Sequence, residues 1–127
     1  IIMSWFSTKE KSTKTIPWQK LTEMSQLQEI LDNKSGEQHI LFKHSTRCNI
    51  SSIAFRRFET EWNEEYNSTQ IWYLDLLVHR DISNSIAEKT GVYHQSPQVI
   101  ALKNGEVIYT ETHGQISSRV AVNSFKK

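Results

Sequence analysis

The chain has 127 residues, 37% of them hydrophobic, which is enough to bury one core but too few for two ordinary domains. Its 15 Lys and Arg nearly balance 14 Asp and Glu, and no block of like charge argues for nucleic acid as a partner. No apolar run approaches the roughly 18 residues that span a bilayer, so no membrane association is predicted. A single unpaired cysteine fits a reducing compartment, and we expect a cytoplasmic protein.

The first fifteen residues place Ser, Thr and Lys around two aromatic residues without a period, which predicts a loosely ordered N-terminal arm over residues 1–15. A single domain is expected over residues 16–127. Thr22 is positioned to cap a first helix, whose apolar residues fall on one face: Met24, Leu27, Ile30 and Leu31. The short apolar run His39–Lys43 then predicts a buried strand.

Cys48 comes directly after this strand and before an amphipathic helix. Apolar residues recur at every fourth position of that helix, and charged residues occupy positions between them. The apolar set is Ile50, Ala54, Phe58 and Trp62. The spacing therefore predicts that the cysteine lies at a strand-to-helix junction.

The next two elements repeat the strand–helix order. Ile71–Val78 is nearly continuous apolar sequence broken by Asp75, which is typical of a central strand covered on both faces. Asp81 is expected to cap the following helix, and Gly91 is placed to end it in a left-handed conformation.

A hairpin and a last helix complete the chain. Gln98–Lys103 and Glu106–Thr110 flank Asn104-Gly105, a pair that tolerates positive φ and strongly predicts a hairpin. Gly114 then precedes a terminal helix. The order strand, helix, strand, helix, proline turn, hairpin and helix predicts an α/β thioredoxin-like fold, with a central mixed β-sheet and helices on both faces.

From about Gln38 onward the chain resembles thioredoxin-like proteins, through the segments LDLLVHRDISNSIAEKTGV and SPQVIALKNGEVI. More narrowly, FKHSTRCNISS resembles the active-site segment of the monothiol bacilliredoxin (YtxJ-like) family, whose motif is cysteine-proline-isoleucine-serine. By this resemblance, Cys48 falls on the redox cysteine, Ser51 on the serine that replaces a second cysteine, and Pro97 on the cis-proline facing the thiol. Asn49 stands where the proline of the motif is expected, which restores a backbone N–H and removes rigidity.

The position of Cys48 favours a reactive thiolate. At a helix start several backbone N–H groups lack intrahelical partners, and together with the helix dipole they favour the anion over the thiol. Polar neighbours predict that the cysteine is partly exposed. Ser51 lies one helical turn on, so its hydroxyl or its N–H can hydrogen-bond the sulfur but cannot form a disulfide. We assign Ser51 and Asn49 as thiolate-stabilising residues.

Because the chain has no second cysteine, another molecule must resolve any disulfide formed at Cys48. We expect Cys48 to attack a mixed disulfide between a client protein and a small thiol, and a second thiol to free it. The resemblance implies that the small thiol is bacillithiol, that the clients are S-thiolated proteins, and that the protein serves cell redox homeostasis and the stress response.

Two further segments are expected to bind the substrate. A cis Ser96-Pro97 bond would aim the Ser96 backbone at an extended ligand, which can add short strand-like hydrogen bonds there. Lys43, His44 and Arg47 are cations near the cysteine, and we assign Arg47 to a carboxylate of the small thiol.

Plainer explanations exist for each feature. A lone cysteine is more often a buried, inert residue, and a proline, serine or arginine at these positions can be an ordinary turn, helix or surface residue. Their joint order favours a thiol-disulfide oxidoreductase over a non-catalytic thioredoxin-fold adaptor, although the fold alone does not decide between them. An iron–sulfur cluster carrier of the monothiol-glutaredoxin type is a third alternative, but the glycine of that motif is Asn49 here. No spacing completes a tetrahedral zinc set, so we predict neither a metal nor a cofactor.

Overall fold

The computed structural model describes residues 16–126, so the predicted arm over residues 1–15 lies outside the described residues. Within that range the chain forms five strands and four α-helices. In chain order they are β1 (Trp18–Lys20), α1 (Met24–Asp32), β2 (Gln38–His44), α2 (Asn49–Glu61), β3 (Gln70–Asp75), α3 (Arg80–Thr90), β4 (Gln98–Lys103), β5 (Glu106–Thr112) and α4 (Ser118–Asn123). None of the described helices is long and apolar enough to cross a membrane.

The five strands form one mixed sheet in the order β1-β3-β2-β4-β5. The first three strands of that order run parallel, and β4 and β5 are antiparallel to their neighbours. In the centre, Phe42 of β2 pairs with Tyr73 of β3 on one side and with Val99 of β4 on the other. The predicted α/β fold with a central mixed sheet is confirmed.

Alternate residues of the central strands feed two separate cores, one on each face of the sheet. Ile40 and Phe42 point toward the core that α2 and α4 cover, which also contains Phe58 and Trp62. Leu41 points toward the core that α1 and α3 cover. Helices therefore lie on both faces, as predicted, and the carboxyl ends of β2 and β3 meet at one edge.

Local signals located the turns correctly. Gly91 ends α3 with a φ of 76°, and Asn104 and Gly105 connect β4 to β5 with φ values of 54° and 76°. Both predictions rest on residues that adopt the left-handed region at low cost, so they depend little on the rest of the fold.

The predicted N-caps of α1 and α3 were wrong, because each helix begins at a different residue. Glu23, not Thr22, is the N-cap of α1, and its N–H donates to the Gln26 side chain at 3.0 Å. Likewise His79, not Asp81, is the N-cap of α3.

Two further expectations about the strands and helices also need correction. The predicted strand Ile71–Val78 ends at Asp75, because the Asp75 carboxylate accepts the Leu77 N–H at 3.2 Å and turns the chain. Ile50 was expected on the buried face of α2, yet 57% of it is exposed. It lies in the first turn, before the helix reaches the core.

Candidate active site

Cys48 is the N-cap residue of α2, at the junction that the sequence predicted. Its carbonyl accepts the first intrahelical bond, from the Ser52 N–H at 3.0 Å, and its own N–H donates to the Ser45 carbonyl at 3.2 Å. The N–H groups of residues 49–51 precede that first bond, so the helix offers them no acceptor. The side chain is partly exposed, as predicted. The sulfur thus lies beside the positive end of a 13-residue helix.

Ser51 is fully buried, and its hydroxyl is turned away from solvent. The oxygen accepts the Ser45 N–H at 3.0 Å and lies 2.6 Å from Nδ1 of His44. Both bonds tie the start of α2 to the end of β2, and they define where the Ser51 hydroxyl points. The role of Ser51 toward the sulfur stays a prediction, and its backbone N–H is the donor that the helix leaves free.

His44 is buried under α2, whereas the sequence analysis placed it among the cations that could meet a substrate carboxylate. Its ring stacks on Phe55, with ring centroids 4.9 Å apart and an interplanar angle of 17°. Burial lowers the pKa of His44, while the charges of Asp75 and Glu59 act in the opposite direction. Since β2 alternates, His44 shares its face with Phe42, and that alternation is the signal that could have placed it inside.

Ser96 and Pro97 lie at the same edge of the sheet, in the loop that leads into β4. The Ser96-Pro97 peptide bond is cis, as the resemblance implied. Pro97 immediately precedes β4, which pairs with β2 so that Gln98 lies opposite Lys43. The Ser96 hydroxyl oxygen is buried and has no hydrogen-bond partner among the described residues. The cis-proline segment and the cysteine loop therefore meet at the carboxyl end of β2.

Two buried polar side chains anchor the loop that leads to Pro97. Gln98 donates to the Tyr93 carbonyl at 3.0 Å. Lys43, which has no exposed surface, donates to the Ser83 carbonyl at 3.3 Å and to Nδ1 of His94 at 3.2 Å. An ammonium group can only donate, so Nδ1 of His94 is the acceptor and its ring proton is on Nε2.

The environment of Lys43 is unusual for a lysine. Burial lowers its pKa to about 8. Burial also lowers the pKa of His94, and the charges of Lys43 and Arg80 lower it further. Lys43 is therefore unsuited to contact a substrate carboxylate, which corrects its inclusion among the cations that could meet one.

Arg47 and Asn49 are exposed on either side of Cys48. Asn49 is the first residue of α2, and Arg47 lines an open cleft between the β2–α2 and β3–α3 loops. The six predicted site residues thus fall on two segments at one edge of the sheet. Among residues 16–126, no group of three or more His, Cys, Asp or Glu side chains could hold a metal ion.

A family model described as monothiol bacilliredoxin BrxC matches residues 19–120. The chain belongs to this family. The match includes the cysteine loop, α2 and the cis-proline segment, and it confirms the resemblance drawn from FKHSTRCNISS.

Solved structures similar to this chain have the thioredoxin fold. One, described as a candidate oxidoreductase with a thioredoxin fold, is 29% identical and covers 87% of this chain and 95% of its own, with a TM-score of 0.73. The thioredoxin Mala s 13 of Malassezia sympodialis is 16% identical with a TM-score of 0.65, over 90% of this chain and 97% of its own. Thioredoxin f of spinach chloroplasts in its long form is also 16% identical, with a TM-score of 0.66, over 94% of this chain and 95% of its own. Family membership and the 29%-identical oxidoreductase support a thiol redox function, and the two thioredoxins support the fold.

Proposed function

We propose that the protein is a monothiol thiol-disulfide oxidoreductase that removes bacillithiol from mixed disulfides on client proteins, with Cys48 as the nucleophile. The observation that carries the proposal is the partly exposed Cys48 at the N-cap of α2, where free backbone N–H groups favour a thiolate. Family membership supports the same chemistry. An unpaired thiol of this kind fits the cytoplasm.

The proposed exchange conserves disulfides and needs no external oxidant. The Cys48 thiolate attacks the small-thiol sulfur of the mixed disulfide, a new bond forms between Cys48 and the small thiol, and the client leaves as a thiolate. A second small-thiol molecule, as its thiolate, then attacks the small-thiol sulfur on Cys48. That step forms a symmetric small-thiol disulfide and returns Cys48 as a thiolate.

The second segment of the site would hold the substrate during this attack. We expect the Ser96 backbone beside Pro97 to bond an extended ligand, and the buried Ser96 hydroxyl to supply a further polar contact. Arg47 would meet a carboxylate of the small thiol. Ser51 and Asn49 would stabilise the thiolate through their backbone N–H groups.

The alternative function is a non-catalytic adaptor, and one observation favours it. Ile50 and Ile53 are 57% and 58% exposed next to Cys48, and they line a small apolar cleft with Ala54 and Arg57. Exposed apolar surface of this kind suits a protein partner. An adaptor would use that surface without needing a reactive sulfur.

The rate of alkylation of Cys48 by a small haloacetamide at pH 7 separates the two functions. We expect the folded protein to react faster than the denatured chain, which is the matched reference, because free N–H groups at the start of α2 favour the reactive thiolate. A folded protein that reacts no faster than the denatured chain, or that is protected from alkylation until it unfolds, would favour the adaptor.

Transfer itself gives a second test. A client peptide carrying bacillithiol as a mixed disulfide should release free peptide in the presence of the protein, and Cys48→Ser should abolish the release. Activity that persists in Cys48→Ser would refute Cys48 as the nucleophile.

A further inference from the structure

A cleft next to the nucleophile contains one cationic and one anionic side chain. It has a volume of about 510 Å³, and its lining residues are Thr46, Arg47, Asp75, Leu77 and Val78. Arg47 is the residue immediately before Cys48, so one wall of the cleft adjoins the cysteine in the chain. Oppositely charged groups in one cleft beside a nucleophile suggest a ligand with both charges.

Arg47 and Asp75 are available to a ligand because they do not neutralise each other. Within residues 16–126 the two side chains form no ion pair. Asp75 uses one carboxylate oxygen to accept the Leu77 N–H at 3.2 Å, which fixes the carboxylate and leaves acceptor capacity on both oxygens. Arg47 is exposed and keeps its five N–H donors for a planar partner.

The remaining wall of the cleft is apolar. Leu77 is 40% exposed and Val78 is 68% exposed. These side chains can cover the carbon skeleton of a small ligand, while the charged residues fix its two ends. The lining therefore suits a compact zwitterion better than a purely anionic or purely cationic molecule.

We propose that this cleft binds the small-thiol half of the mixed disulfide and selects thiols of the amino-acid type, with the carboxylate on Arg47 and the ammonium group on Asp75. This inference rests on the proposed function and specifies its substrate class. The small thiol is held here before attack and remains here while it is bonded to Cys48. Asp75 and Arg47 are specificity-determining residues, and they take no part in the exchange of bonds between the sulfur atoms.

The test uses one client peptide whose single cysteine carries cysteine, cysteamine or 3-mercaptopropionate as a mixed disulfide. These adducts present both charges, only the ammonium, or only the carboxylate, and the leaving peptide is the same in all three. Single-turnover release of peptide is followed with the full chain at low salt for the wild type, Arg47→Gln and Asp75→Asn. Asn keeps the oxygen that accepts the Leu77 N–H, so the turn is preserved.

We expect Arg47→Gln to slow the cysteine and 3-mercaptopropionate adducts by about three- to fivefold and to leave cysteamine unchanged. Asp75→Asn should slow the cysteine and cysteamine adducts by a similar factor and leave 3-mercaptopropionate unchanged. The 3-mercaptopropionate adduct also reports any indirect effect of Asp75→Asn on the site, because this adduct has no ammonium group for Asp75 to bind. Arg56→Gln and Glu88→Gln make the same charge changes on exposed helix positions outside the cleft and should alter none of the rates.

Three outcomes overturn the inference in distinguishable ways. If each variant slows all three adducts equally, or none, the cleft does not select zwitterionic thiols, although the exchange reaction stands. If the wild type releases peptide from the bacillithiol adduct but from none of these three, the inference fails and the proposed function stands. If it releases peptide from neither, both fail. Adduct-specific losses of rate that become smaller at high salt would support the pairing of the ligand's charges with Arg47 and Asp75.

Discussion

Replacing Lys43 by Met tests the energetic consequence of burying an ammonium group whose hydrogen-bond partners, Ser83 and His94, carry no negative charge. Lys43 has no exposed surface, and burial lowers its pKa from 10.5 to about 8. Below pH 8 both the folded and the unfolded chain hold the proton. Between pH 8 and 10.5 the folded protein has released it and the unfolded chain has not, so the free energy of unfolding rises with pH.

The expected magnitude follows from the same two values. At about 1.4 kcal/mol per pH unit, the full difference between 10.5 and about 8 corresponds to about 3 kcal/mol. Over the accessible range from pH 7 to 9.5, about 2 kcal/mol of this should develop in the wild type and none in Lys43→Met. At pH 7 the variant should be more stable by about 1–3 kcal/mol, because the loss of the bonds to Ser83 and His94 offsets part of the gain.

Urea unfolding followed by tryptophan fluorescence at several pH values measures this difference. A Cys48→Ser background removes the thiol from the titration. Burial raises the pKa of Tyr73 and Tyr109, but both tyrosines are present in the wild type and in Lys43→Met, so their contribution cancels in the difference between the two proteins. Lys20→Met is the matched control, since Lys20 is an exposed lysine in a strand and should give no pH-dependent difference. Parallel stability curves for the wild type and Lys43→Met would refute the link between Lys43 ionisation and folding.

Three further substitutions test the site and the turns. Ser51→Ala should lower the free energy of unfolding by about 1–3 kcal/mol, measured in urea, because it leaves the buried His44 ring nitrogen unpaired. Asn49→Pro should leave stability unchanged or raise it by up to about 1 kcal/mol, because the first helical position needs no N–H. It should also change the rate of haloacetamide alkylation of Cys48 at pH 7. Gly105→Ala should destabilise the protein more than Gly36→Ala, measured by thermal unfolding. Both positions have positive φ, but only at Gly105 would the added carbon collide with the backbone of α1.

Each of these expectations can fail on its own. A Ser51→Ala protein as stable as the wild type would mean that the His44 bond contributes nothing net. An unchanged alkylation rate in Asn49→Pro would mean that the departure from the family motif does not affect the reactivity of the thiol. Equal losses of stability in Gly105→Ala and Gly36→Ala would mean that backbone conformation, and not a collision with α1, accounts for the whole effect.

The sequence by itself determined the features that depend on neighbouring residues. Gly91 and Asn104-Gly105 mark turns because only a few residue types adopt positive φ cheaply. The polar segment around Cys48 between an apolar strand and an amphipathic helix placed the thiol at a helix start, and the helix geometry follows from that position. The order of strands and helices also predicted the fold class, because few chain topologies are compatible with that order.

Only the tertiary structure decided which polar groups are buried and what they bond. The three-residue strand β1 has no detectable period, and its pairing with β3 defines it. Lys43 and His44 are adjacent cations in the sequence, yet the alternation of β2 sends one under α3 and the other under α2. The direction of the Ser51 hydroxyl depends on how α2 packs against the end of β2, and the meeting of Arg47 with Asp75 in one cleft depends on residues distant in the chain. Such contacts are fixed by packing of whole elements, which no local pattern encodes.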